Sequence, residues 1–222
     1  MDLLTLSPAG ARIRCALRQA RLDHTPYTHW LPKEVLPRDL ASAILAIPFP
    51  TPVIDDTRGK RETHNGQRVF ITQENRSLYP ACATLAEAFQ DEATAGLIGD
   101  MTGVELSGSS LRIECCLDTD GFWLEPHTDI GAKMVTLLVY LSDHPDAATW
   151  GTDVMDQHGS VLATAPGVFN AGLMFVPGPD TWHGFARRPI KGVRRSLIVN
   201  YVRPEWRSRH ELAFPDQPIV MA

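Results

Sequence analysis

His127 and Asp129 stand two residues apart in the stretch "EPHTDIGAKMVTLLVYLSD" (125–143), at the mouth of a long apolar run. In a β-strand alternate side chains share a face, so an imidazole and a carboxylate at this spacing point the same way. Such a pair can ligate a metal, can act as base and acid, or can be two polar residues at a sheet edge. The spacing alone decides little, since His144-Pro145-Asp146 repeats it. That second copy is interrupted by Pro and lies past the end of an apolar run, so it reads as a turn. The first copy precedes residues 134–141, which can form a buried strand and hold the pair on rigid scaffold.

A third candidate is His183, in "FVPGPDTWHGF", after another apolar run and a Pro/Gly turn. Several strands can lie between His127 and His183 and bring the chain back. Two imidazoles and one carboxylate on neighbouring strands occupy one face of an octahedral metal and leave three positions open, the arrangement of non-heme Fe(II) oxygenases. Zinc is more often held tetrahedrally by three ligands and a water. A fourth candidate is Arg194, in "GVRRSLIVNYV" (192–202). In an otherwise apolar strand a guanidinium needs an anionic partner. Its planar fork suits a carboxylate, which it grips with two parallel bonds. A metal triad beside such a clamp suits a 2-oxoacid with a distal carboxylate. A register shift of one would put Arg195 in the clamp instead.

The elements that must position these residues fall into two groups. Ser7-Pro8 predicts a helix start, and "AGARIRCALRQARL" a short helix with a basic, solvated face. "PFPTP" (48–52) is an extended connector. "DDTRGKRETHNGQR" (55–68) is charged and turn-rich and reads as a mobile loop, and residues 78–101 read as helical. After Gly103 come short β-type runs, "SLRIECCL", "KMVTLLVYLS", "GLMFVPG" and "RRSLIVNYV", separated by Gly, Pro and Asp. Helices first and strands second, without alternation, predict an α+β chain with a sandwich, barrel or jelly roll.

The whole chain narrows the partners. Its 222 residues fit one large domain. A formal net charge of −5 argues against a nucleic-acid partner, and no apolar run reaches the roughly 20 residues of a membrane span, so no membrane partner is expected. The first residues show no basic start followed by an apolar core. Cys15, Cys82, Cys115 and Cys116 form no CxxC pair, which suits a reducing cytoplasm. Cys115 and Cys116, adjacent in a strand, should face opposite ways.

With these features in place, the sequence resembles the 2-oxoglutarate- and Fe(II)-dependent dioxygenases, nearest to the prolyl-4-hydroxylase-like branch. The residues that carry the resemblance are His127-Thr128-Asp129, "TLLVYLS" (136–142), "FVPGPDTWHGF" (175–185) and "GVRRSL" (192–197), in that order. It spans 111–203 and fades over 1–110. It implies a double-stranded β-helix (a cupin-like jelly roll) over 111–203, with a mainly helical support and substrate-side region before it and a C-terminal extension over 204–222. It implies Fe(II) held by His127, Asp129 and His183, with 2-oxoglutarate and O2 as cosubstrates and no catalytic side chain beyond the metal ligands. It sets Arg194 on the distal carboxylate of 2-oxoglutarate, Ser196 facing the same way, and Tyr140 offering its phenol to that carboxylate. Lys133 matches a basic position near the substrate entrance, although on bare sequence it reads as an exposed strand-end lysine.

Two departures stand out. Relatives often carry a Tyr nine or ten residues before the metal His, where this chain has Asp118 and Leu117. The usual Gly-Gly after the first long strand is replaced by "WGTD" (150–153). The expected reaction is hydroxylation of an unactivated C–H with release of succinate and CO2. Asp129 favours this over halogenation, because related halogenases lack the carboxylate. A small-molecule metabolite is the expected substrate, and a peptidyl residue, prolyl included, is the alternative. A cupin-like protein binding Zn or Ni without oxidative chemistry is the other-class alternative, against which "RRS" argues. Asn170 and Asn200 line a pocket or satisfy backbone groups; Trp123, Trp150 and Trp182 stack on a ring or simply pack. His24, His29, His64, His158 and His210 carry no site role. The oligomeric state is left open.

Overall fold

The computed structural model describes residues 7–63 and 68–221. The readings made for the first six residues, His64 and the end of the 55–68 loop lie outside the described residues. Helix α1 (Pro8–Arg18) starts with Pro in its first turn, although Ser7 makes no side-chain cap bond. Its basic face is only partly solvated. Arg14 is buried and donates to Asp91 at 2.7 Å and Thr94 at 3.0 Å, tying α1 to α5. Helix α2 spans Arg38–Leu45 and α3 Gln73–Leu78.

The expected helix over 78–101 is two helices, α4 (Pro80–Gln90) and α5 (Glu92–Thr102). Asp91 separates them. Its backbone leaves the helical region and its side chain accepts from Thr94 N, capping α5. Gly103 ends α5 in the left-handed conformation, φ 71°.

The strands are β1 (Arg21–Asp23), β2 (His29–Leu31), β3 (Val69–Phe70), β4 (Ser110–Asp118), β5 (Leu124–His127), β6 (Lys133–Tyr140), β7 (Asp153–Met155), β8 (Val161–Thr164), β9 (Gly172–Phe175), β10 (His183–Phe185) and β11 (Arg194–Val202). They form a seven-stranded sheet in the order β1-β2-β9-β6-β11-β4-β3 and a four-stranded sheet, β5-β10-β7-β8. Every pairing is antiparallel. The result is a jelly-roll core on a mixed α and β chain. Helices do not simply precede strands, because β1, β2 and β3 come from the first 110 residues and extend the large sheet at both edges. Strands this short show no alternation in sequence; β2 buries all three of its residues.

Alternation along the long strands separates two environments. One face of β4, β6 and β11 carries Leu111, Ile113, Cys115, Val135, Leu137, Val139, Leu197, Val199 and Tyr201, which pack with α1, α2, α4 and α5 in one apolar core. Each such buried aliphatic contributes about 2 kcal/mol. The register places the opposite residues in rows across β4, β11 and β6. Asp118 faces Arg194; Cys116, Ser196 and Tyr140 follow; then Glu114, Ile198 and Leu138; then Arg112, Asn200 and Thr136. This inner face is where the site lies.

Candidate metal centre

Strands β5 and β10 bring the two candidate imidazoles together. His127 and His183 are register partners, with ring centroids 4.4 Å apart. His127 Nδ1 donates to Glu125 O at 2.8 Å and His183 Nδ1 to Thr181 O at 2.9 Å. A carbonyl only accepts, so the ring proton sits on Nδ1 and leaves the Nε2 lone pair for a metal. Asp129 lies beyond the end of β5, so strand alternation is not what aligns it with His127. Its carboxylate is held by Lys133 Nζ at 2.5 Å and Thr136 Oγ at 2.8 Å. One ligand atom from each of His127, Asp129 and His183 lies within 4.8 Å of the others. This is the one such group of His, Cys, Asp and Glu side chains among the described residues.

The electrostatics keep His183 and Asp129 in ligand form. Burial, aided by His127, pushes His183 down to about 4 against the pull of Asp129, so its imidazole is neutral. Burial raises Asp129, but the charge of Lys133 and the bonds from Lys133 and Thr136 outweigh it and hold the carboxyl well below its ordinary value. Two imidazoles and one carboxylate fit a divalent metal with open positions. Asp146, the acid of the second His-x-Asp, is a half-buried turn residue ion-paired with Lys191 at 3.0 Å.

The triad opens on a cavity of about 350 Å³. At one end lie Arg61 and Arg194, and along its floor lie Arg68, Arg112, Glu114 and Glu211. Arg194 turns to the inner face with its guanidinium 4.6 Å from the Phe185 ring, and donates to Trp150 O at 2.7 Å. Arg195 turns the other way and donates to Leu45 O. The anionic partner that Arg194 needs is on the chain itself: Asp118, at 2.5 Å. Asp118 also accepts from Arg61 at 2.9 Å. Ser196, two positions on, is buried and its Oγ has no hydrogen-bond partner in the protein. Tyr140 is buried beside it. Its hydroxyl accepts from Thr152 N at 3.1 Å, which leaves the phenolic proton to donate. Burial raises its pKa, so it stays a donor. Of these three residues Arg194 lines the cavity, and a guanidinium with hydroxyl donors beside it is the chemistry that suits a carboxylate.

Other expectations turn out differently. Lys133 is not a solvated strand end, because it is drawn onto Asp129. Asn170 is structural, with φ 64° and its side-chain amide bonded to both Leu36 N and Leu36 O. Asn200 joins the floor, accepting from Arg112 and donating to Thr136. Trp150 is a packed residue, whereas Trp123 binds Asp56 and lies under Arg187. The "WGTD" turn is tight because a Cβ on Gly151 would stand 1.7 Å from Ala165 O.

The charged 55–68 segment offers Arg58, Lys60, Arg61 and Arg68 to the substrate side already in sequence, whereas Arg112, Glu114, Glu211 and Tyr27 were not singled out from it. Arg68 binds Glu114 through two nitrogens, at 2.9 and 2.6 Å, and Arg112 binds Glu211 and Glu114 at 2.6 and 3.1 Å. The signal was in β4, "SLRIECCLD", where Arg112, Glu114 and Asp118 alternate with apolar residues. Tyr27 carried no such signal. It packs on Phe175, and its buried hydroxyl has no protein partner.

No protein-family model matches the sequence, and no curated protein matches it. Solved structures do. A prolyl-4-hydroxylase from Pseudomonas putida is 19% identical with a TM-score of 0.54, over 88% of this chain and 95% of that one. A prolyl hydroxylase from Trichoplax adhaerens, solved with a hypoxia-inducible-factor peptide, is 13% identical with a TM-score of 0.54, over 87% and 88%. SnoN, a non-heme α-ketoglutarate-dependent epimerase of nogalamycin biosynthesis, is 14% identical with a TM-score of 0.52, over 87% and 80%. The fold is that of the prolyl-4-hydroxylases. On this fold the chain places an ionic floor beneath the triad, to which β4 contributes Arg112 and Glu114.

Proposed function

We propose that the protein is an Fe(II)- and 2-oxoglutarate-dependent oxygenase that hydroxylates an unactivated C–H of a small metabolite. The observation that carries this reading is the convergence of His127, Asp129 and His183 on a cavity that Arg194 also lines, with the unpartnered Ser196 hydroxyl two residues on along β11. Fe(II) held by the triad, with 2-oxoglutarate and O2, supplies the oxidising chemistry, yielding succinate, CO2 and a hydroxylated product.

The chain's own residues position and exclude. His127 and His183 present Nε2 because Glu125 O and Thr181 O fix their Nδ1 protons. Asp129 supplies the negative ligand, oriented by Thr136. Arg194, Ser196 and Tyr140 hold the distal carboxylate of the cosubstrate. Phe122 and Phe185 wall that end against water.

The size and lining of the cavity favour a small substrate. A volume of about 350 Å³ is at the low end for small-molecule sites. Arginine–glutamate pairs along the floor offer hydrogen bonds to a polar metabolite. The test is succinate release by Fe(II)-loaded protein over a panel of polar metabolites and proline-containing peptides. A metabolite that raises succinate release above the uncoupled level supports the proposal. A peptide that does so instead moves it to peptidyl hydroxylation, and metal binding without any 2-oxoglutarate turnover moves it to the cupin-like alternative.

A further inference from the structure

Asp118 is fully buried and is gripped by two guanidiniums. Arg61 lies 2.9 Å from one carboxylate oxygen, with a second contact at 3.5 Å, and Arg194 lies 2.5 Å from the other oxygen. Two cations thus share one anion. Arg61 and Arg194 line the cavity, and Asp118 stands behind them. Their side chains are only 13% and 4% exposed. A structural tether requires one guanidinium per carboxylate; a second leaves a surplus positive charge out of water, which is unfavourable unless an anion offsets it. The aromatic ring of Phe122, 4.7 Å from Arg61 and 5.8 Å from Arg194, screens both cations but adds no charge. Glu114 on the floor beyond also attracts Arg61, but the four guanidiniums of Arg61, Arg68, Arg112 and Arg194 face three carboxylates, Asp118, Glu114 and Glu211, so one positive charge is left over. Arg68 and Arg112 are matched there by Glu114 and Glu211.

We propose that Arg61 is a second binding residue for the distal carboxylate of 2-oxoglutarate, acting with Arg194, while Asp118 fixes both guanidiniums and offsets one of their charges. This rests on the oxygenase reading. The end of the cavity then carries one net positive charge, and the N–H groups of Arg61 and Arg194 not taken by Asp118 and Trp150 O are available to one carboxylate. Arg61 is carried on the segment that crosses the barrel mouth, where Thr57 is buried and bonded to Trp123 and Glu125 N donates to Gly59 O at 2.9 Å. The segment read from sequence as a mobile loop is thereby part of the cosubstrate wall.

The test compares 2-oxoglutarate with 2-oxopentanoate, which has the same chain length and no distal carboxylate. Binding is measured by calorimetry on full-length, Fe(II)-loaded protein without oxygen. Arg61→Ala should weaken 2-oxoglutarate by roughly tenfold or more and 2-oxopentanoate by less than about twofold, since the lost contact is charge-assisted and specific to one carboxylate. Arg61→Lys, which keeps the charge, should recover most of the loss. Iron stoichiometry and circular dichroism confirm that each variant is folded. Equal weakening of both ligands, or of neither, overturns the proposal while leaving the oxygenase reading intact. Wild-type protein that binds neither 2-oxoacid overturns both.

Discussion

Asp118→Asn isolates the charge arrangement at the end of the cavity. The amide keeps one acceptor for Arg61 or Arg194 but turns an N–H donor toward the other. It also removes the only carboxylate paired with either guanidinium among the described residues. Both cations stay buried beside each other. Breaking a buried pair from one side costs about 3–5 kcal/mol, and the retained acceptor argues for the lower end, about 3 kcal/mol. For a chain of this size each kcal/mol moves the unfolding temperature by about 2–4 °C, so Asp118→Asn should unfold about 6–12 °C below wild type. Added 2-oxoglutarate should raise the variant's unfolding temperature more than the wild type's, because its carboxylate supplies the missing anion. Thermal unfolding followed by circular dichroism, with and without 2-oxoglutarate, reads both effects. An apo variant within about 2 °C of wild type would mean that the guanidiniums are not held by Asp118, and the charge argument would fail.

Tyr27→Phe removes a buried hydroxyl that has no protein partner, so the apo protein should gain about 1 kcal/mol, read as a higher denaturant midpoint. A midpoint that falls instead would show that the hydroxyl is bonded. Gly151→Ala drives a Cβ against Ala165 O and should cost about 3 kcal/mol by the same assay, with an unchanged midpoint counting against the tight turn. Glu114 is held at about 2, against an ordinary 4.5: burial opposes its charge, but the Arg68 bond and the charges of Arg61, Arg68 and Arg112 prevail. A lowered folded-state value means that its contribution, about 3 kcal/mol, is complete above pH 4.5 and is lost as pH falls toward 2. Unfolding free energy measured over that window should fall less steeply in Glu114→Gln, and identical slopes would refute the assignment.

The long strands and the triad were legible because their signals are local. β-type runs of eight or nine residues, apolar at least at every second position over most of their length, specify β4, β6 and β11, and the order His127, Asp129, His183, Arg194 follows the order of the elements that carry or flank them. What was not legible depends on pairing between distant segments. Asp118 was seen only as a missing Tyr, because nothing near it in sequence shows that Arg194 is its register partner across β4 and β11. Arg61 sits in a charged, turn-rich segment with no periodicity, and only the closed barrel turns its guanidinium inward. The strands β1, β2 and β3 are too short for alternation to show. Lys133 reads as a solvated residue until Asp129 is brought back over the start of β6.

The central claim is that His127, Asp129 and His183 hold iron for 2-oxoglutarate chemistry. It is tested most directly by titrating Fe(II) and then 2-oxoglutarate, without oxygen, into wild type, Asp129→Ala and Asp146→Ala. The account predicts one tightly held iron per chain and a weak visible charge-transfer band on adding 2-oxoglutarate, in wild type and Asp146→Ala alike. In Asp129→Ala both should be lost, because the variant gives up the negative ligand of the triad. Iron and band persisting in Asp129→Ala, or vanishing only in Asp146→Ala, would contradict it.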